Sequence, residues 1–140
     1  MNPPENSASI EKRSREIRLA ALDMISASGA SHIGSVFSTA EILATLYDDI
    51  LNVRPAEPDW PDRDRFVMSK GHATPVQYAL LAELGYFPIE ELSTFRQRGS
   101  RLQGHSILGK PPGVDNSAGS LGMGLSFGLG MRLAARLGDS

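Results

Sequence analysis

The sequence predicts an α/β fold, the front part of a parallel sheet flanked by helices, and three observations carry that prediction. One apolar run, Phe66-Val67-Met68, is short, continuous and bounded by turn-prone residues, as a strand buried on both faces is. About five segments around it show helical periodicity or helix-end signals. A lone strand of this kind leaves its backbone groups without partners. The fold is therefore expected to be incomplete within these 140 residues.

Residues 1–9 are polar, carry Pro3 and Pro4, and read as a flexible lead-in to a partial domain over 10–140. Ile10 to Ser28 is predicted helical, because Ile10, Ile17, Ala20, Ala21, Met24 and Ile25 recur at helical spacing and Gly29 suits a left-handed cap. "SGASHIGS", residues 28–35, reads as a loop. Ser38-Thr39-Ala40-Glu41 has the form of a capping box opening a second helix. Its apolar face would be Ile42, Leu43, Leu46, Tyr47, Ile50 and Leu51.

Pro55, Pro58 and Pro61 argue against helix or ladder strand over 52–64. Arg65 to Ser69 is the strand candidate. Thr74-Pro75 suits the cap and first position of a helix that runs to about Leu84 and ends at Gly85. A short helix is expected over Ile89 to Phe95. Ten of the 14 glycines lie at or after Gly99. Residues 99–120 read as a long loop, which inside a compact domain points to function or disorder. A glycine-rich helix is expected over Leu121 to Leu137, where each glycine costs about 1 kcal/mol relative to alanine. So many glycines make sense where a backbone or ligand approaches closely.

Hydrophobic residues make up 41% of the chain and charged residues 21%, as in a soluble globular protein. A net charge of −2 supplies no electrostatic reason to bind nucleic acid or an acidic membrane surface. With no cysteine, disulfides, thiol nucleophiles and cysteine-held zinc are excluded. The N-terminus "MNPPENSASIEKRSREIR" has no apolar signal core and no later run is long enough to span a bilayer, so the chain reads as cytoplasmic.

His32, His72 and His105 each lie within two positions of a glycine, in segments where backbone can come close to a ligand. Imidazole there can orient hydroxyls or move protons near neutral pH. Any one of them alone reads as a surface or structural histidine. Zinc held by three histidines is disfavoured, since no short His-x-x-x-His pair seeds it. A serine nucleophile lacks its Gly-x-Ser-x-Gly elbow. "SAGSLGMG", residues 117–124, sets glycines ahead of a helix, so free amides and the helix dipole can face an anion. Close helix packing is the plainer reading of the same glycines. The dinucleotide fingerprint fails, because Phe127 stands where its third glycine is needed. Arg96, Arg98 and Arg101 could meet a sugar phosphate or be solvated. The acidic cluster "EPDWPDRDR" reads as solvated.

Taken in order, "SGASHIGS", "STAEILATLY", "PDRDRFVMSKGHATPVQYALLAELGYF", "LSTFRQRGSRLQGH" and "NSAGSLGMGLSFGLGMRLAARLG" resemble the N-terminal, thiamine-diphosphate-binding part of the transketolase family over about residues 10 to 138. The wording is similar to the N-terminal subunit of transketolases split into two polypeptides. The resemblance implies a thiamine-diphosphate-binding fold and transfer of a two-carbon ketol unit from a ketose to an aldose. It implies that His32 and His105 are catalytic, beside the reactive carbon and the donor ketose. It implies that His72 contacts the cofactor and that Gly119, Ser120 and Leu121 hold it through backbone contacts.

Ser31 and Ile33 stand where the family pattern has Gly and Pro; Ala118 and Met123 replace a hydroxyl and an amide residue, and Arg132 enters a normally small, apolar helix face. The family pattern continues beyond Gly138-Asp139-Ser140 into a Gly-Asp-Gly strand and a later Asn that hold magnesium. The resemblance thus implies a chain truncated before its metal motif, with Mg2+ ligands absent from it. The expected partners are a C-terminal transketolase-type subunit and a sugar or sugar-phosphate substrate, in an oligomer. The competing expectation is a catalytically inactive truncated remnant or interaction-only fragment.

Overall fold

A computed structural model of the chain describes residues 7–138. Helix α1 (Ser7–Ser28) begins inside the expected lead-in, whose residues 1–6 lie outside the described residues. It buries Ser14, Ile17, Ala21, Met24 and Ile25, one stripe at helical spacing. Gly29, at φ +62°, ends it, and the Ala30 amide folds back to the Ile25 carbonyl at 3.1 Å.

The expected loop over 28–35 contains the start of a five-residue helix, α2 (Ile33–Phe37). Helix α3 (Ala40–Thr45) follows and continues into one wider, π-type turn over Leu46–Ile50. The capping box does not form. The Thr39 hydroxyl donates to the Ser35 carbonyl at 2.8 Å, and Glu41 pairs with Arg18 of α1. Of the expected apolar face, Leu43 and Tyr47 are buried, whereas Ile42 and Ile50 are exposed.

Helix α4 (Thr74–Glu83) is the centre of the core, with every residue from Thr74 to Ala82 buried. A helix covered on all sides is what a near-continuous apolar sequence such as PVQYALLA produces. Helices α1 and α3 pack against it. Thr74 lies inside the helix instead of capping it; its hydroxyl donates to the Gly71 carbonyl at 2.5 Å and accepts the Ser106 amide at 3.1 Å. A 3₁₀ turn over Ile89–Thr94 stands where the short helix was expected.

The expected parallel sheet is absent among the described residues, whose only β pairing is an isolated bridge between Ile107 and Lys110. The segment around Phe66 to Met68 is extended, but side chains take the place of a neighbouring strand. Asp115 accepts the Phe66 amide at 2.8 Å. Asn116 accepts the Met68 amide at 2.9 Å and donates to the Met68 carbonyl at 3.0 Å. The run is apolar, with Met68 buried and Phe66 and Val67 half-buried, but among the described residues no second extended segment pairs with it in a ladder.

Arg63, in the stretch expected to be solvated, forms a buried pair with Asp115 at 2.5 and 3.1 Å. Helix α5 (Gly124–Leu137) begins three residues later than expected. Only Gly124 of it is buried, and Leu125, Leu129 and Leu137 face outward. No helix among the described residues is long and apolar enough to cross a membrane.

Two measurements test this architecture. Asn116→Ala strips the Met68 backbone of both partners at a buried site, so it should cost about 2–4 kcal/mol. The check is a urea midpoint that falls at unchanged slope. The second test concerns Glu83, at the end of α4, whose carboxyl is pushed up to about 7 by burial, with Glu16 and Asp48 adding and Arg13 opposing. A carboxyl whose folded pKa exceeds its unfolded value favours folding below the unfolded value and loses that contribution as pH rises through the folded one. Wild-type stability relative to Glu83→Gln should therefore decline between about pH 4.5 and pH 7; parallel stability–pH curves would contradict this.

Candidate active site

The site is built on the tip that follows the extended segment, Ser69-Lys70-Gly71-His72. Three other segments converge on it. The first is the His32 turn. His32 precedes α2 with φ +75°, the left-handed region that side-chain-bearing residues avoid. Holding a non-glycine residue there costs roughly 1–2 kcal/mol. In return the ring is directed to His72, with ring centroids 5.1 Å apart and planes tilted by 57°.

The second segment carries His105. Gly71 makes its approach possible: a Cβ on Gly71 would stand 2.7 Å from Cδ2 of His105 and 3.0 Å from Cβ of Ala118. On the far side of His105, the Ser106 amide is fixed to Thr74 at the start of α4. The third segment is the approach to α5. The Ser69 hydroxyl accepts the Gly124 amide at 3.1 Å, and a Cβ on Gly124 would collide with Ser69 at 2.5 Å. The glycines at 71 and 124 are thus required by close backbone approach.

His32, His72 and His105 line one cleft of about 180 Å³, together with Ser31, Phe95 and Arg96. His72 is half-buried, and His32 and His105 are exposed. Partial burial, then the neighbouring His32, His105 and Lys70, hold the His72 imidazole below the usual histidine range. His72 therefore favours its neutral form, with one nitrogen free to accept and the other to donate.

Gly119, Ser120 and Leu121 are exposed in the turn before α5 and do not line this cleft. They adjoin the same tip, through Ala118 against Gly71 and the Gly122 amide 3.4 Å from the Ser69 carbonyl. Their three amides donate to no described residue, so they are available to an anion. Imidazoles around a cleft and free amides in the turn leading into α5 fit an aromatic cofactor with a diphosphate tail. Among the described residues no group of three or more His, Asp or Glu side chains could hold a metal ion.

Sequence reasoning missed the supporting roles of Ser69, Thr74 and Asn116; Arg96, one of three arginines it offered to a sugar phosphate, is the one that lines the cleft. Gly71, inside the Ser-Lys-Gly-His stretch, was the one detectable signal. Arg101 is engaged elsewhere, paired with Glu91 at 2.8 and 2.9 Å.

The family model described as "Transketolase, thiamine diphosphate binding domain" matches residues 10–139. A 6-deoxy-6-sulfo-D-fructose transketolase subunit, SqwG, of Clostridium sp. (strain MSTE9) is 41% identical over 133 residues, covering 95% of this chain and 48% of that protein. Transketolase 2 of Xanthobacter flavus is 46% identical over 121 residues, 86% of this chain and 18% of that protein. The solved transketolase from Leishmania mexicana superposes with a TM-score of 0.84 at 40% identity, covering 89% of this chain and 19% of that one. The chain spans about half the length of the first relative and about a fifth of the others.

Gly71→Ala should displace the His105 ring and destabilise the chain by about 1–3 kcal/mol through overpacking. Gly119→Ala, which meets nothing within 4 Å, should leave stability within about 0.5 kcal/mol. Thermal melts and the His105 ring resonances check both; equal effects would contradict the close approach at Gly71.

Proposed function

The chain belongs to the transketolase family, within its thiamine diphosphate binding domain, and we propose that it acts as a transketolase-type subunit that moves a two-carbon ketol unit from a ketose to an aldose in association with a C-terminal partner chain. The observation that supports this most is the convergence of His32, His72 and His105 on one cleft beside three unengaged amides. Thiamine diphosphate, when bound, supplies the chemistry that breaks and forms the carbon–carbon bond next to the ketose carbonyl.

The chain's own residues bind, orient and move protons. The Gly119, Ser120 and Leu121 amides would donate to diphosphate oxygens, with the dipole of α5 adding to the attraction. His72, which lines the cleft, would contact the cofactor. His32 and His105 would hold sugar hydroxyls and accept or return their protons. Magnesium would take its ligands from outside the described residues. A sugar or sugar phosphate suits a cleft lined by imidazoles and small polar groups. The expected setting remains the cytoplasm.

A second reading, an interaction-only fragment, is motivated by the exposed apolar side chains of α5. One experiment separates the two. The full chain is mixed with a cognate C-terminal transketolase subunit, thiamine diphosphate and Mg2+. Ketol transfer is expected, and His72→Ala should weaken cofactor binding by about tenfold or more, on the order of 1.4 kcal/mol. Neither transfer nor a cofactor-dependent rise in melting temperature would leave the second reading standing.

A further inference from the structure

We propose that Arg96 is a positioning residue that holds His105 in the histidine cleft. The three arginines of "FRQRGSR" have different surroundings. Arg101 is paired with Glu91 and lies over the Phe87 ring. Arg98 lines a surface recess with Gly99 and Ser100. Arg96 alone of the three lines the histidine cleft, and it also lines a larger apolar groove of about 590 Å³ between α1 and the Ile89–Thr94 turn. Phe95 and Arg96 line both cavities, so this pair lies where the two adjoin.

The backbone of Arg96 is costly to maintain. At φ +59° it is, with His32, one of two non-glycine residues among the described ones in the left-handed region. Glycine would occupy that position without strain, and glycine is abundant in the same stretch. A strained arginine in its place points to a use for the side chain.

The packing identifies that use. Phe95, just before Arg96, is buried edge-on against Tyr78 of the central helix. The Arg96 amide donates to the carbonyl of fully buried Leu102 at 2.9 Å, closing the loop. His105 then sits between two fixed points, Leu102 and the Thr74-bound Ser106. The residue between Leu102 and His105 with least restraint of its own is Gly104. The Arg96 stem covers it: Nε, Cδ and Cγ lie 3.6 to 3.8 Å from where a Gly104 Cβ would be. Arg96 supplies from outside the restraint that Gly104 lacks. Lysine has methylenes in place of most of that stem, so it should substitute in part.

The test uses the full chain, with Arg96→Gly and Arg96→Lys as variants. Arg96→Gly should keep or raise the melting temperature while the His105 ring resonances move toward unstructured values and those of His72 stay in place. Arg96→Lys should restore the His105 signals. These readouts need no cofactor and no partner. The activity arm rests on the functional reading above: with partner chain and thiamine diphosphate, Arg96→Gly should lower kcat about tenfold or more with cofactor affinity unchanged. His105 resonances unmoved in Arg96→Gly would overturn the proposal. So would a glycine variant whose melting temperature falls, or a lysine variant as defective as glycine.

Discussion

The pairing of Asp115 and Asn116 with the backbone of Phe66 and Met68 is the constraint on which the rest of the site depends. An extended apolar segment inside a protein must satisfy its amides and carbonyls, because an unpaired buried group costs about 1–3 kcal/mol. Here two consecutive polar side chains do what a second strand would do. They fix the height and direction of the Ser69-Lys70-Gly71-His72 tip. They also tie that tip to the segment leading into α5, since Ala118 and the glycine turn follow directly from Asn116. Arg63 completes the clamp by neutralising Asp115 where burial would otherwise penalise its charge.

From that clamp the cleft follows by contact. Gly71 has no side chain, so His105 and Ala118 press against it. Ser69 receives the first amide of α5 and Thr74 receives Ser106. One short tip therefore organises two loops and a helix start. The cost is carried at His32 and Arg96, both held at positive φ. Strain at the two residues flanking the cleft is physically coherent with a site in which ring placement matters more than local backbone preference.

The electrostatics point the same way. Partial burial first, then the neighbouring imidazoles and the Lys70 ammonium, hold the His72 ring below the usual histidine range. The unengaged amides near Gly119 add positive potential without adding a titratable group. Free amides on one side of the tip and imidazoles on the other are the arrangement on which the proposed cofactor role rests. The large apolar residues of α5 are exposed.

The helical periodicity of α1 and the Thr-Pro start and glycine end of α4 were legible because they are local. Backbone geometry and side-chain spacing fix them within a few residues. The three histidines and the Gly119 to Leu121 turn were identifiable by residue type and by their ordered family resemblance. The extended segment was legible but its partner was not, because sheet membership is a property of a partner, and an apolar run does not reveal whether a strand or an Asp-Asn pair will meet its backbone. The capping box failed for a similar reason: Glu41 is drawn to Arg18, a residue on another helix. Arg96 was invisible as a positioning residue, since positive φ at an arginine leaves no trace in composition or spacing. By itself the sequence determined helices α1, α3, α4 and α5 to within a few residues, the candidate chemistry and the family. Only the tertiary structure decided which groups meet, because contacts between residues far apart in the chain depend on packing that no local pattern encodes.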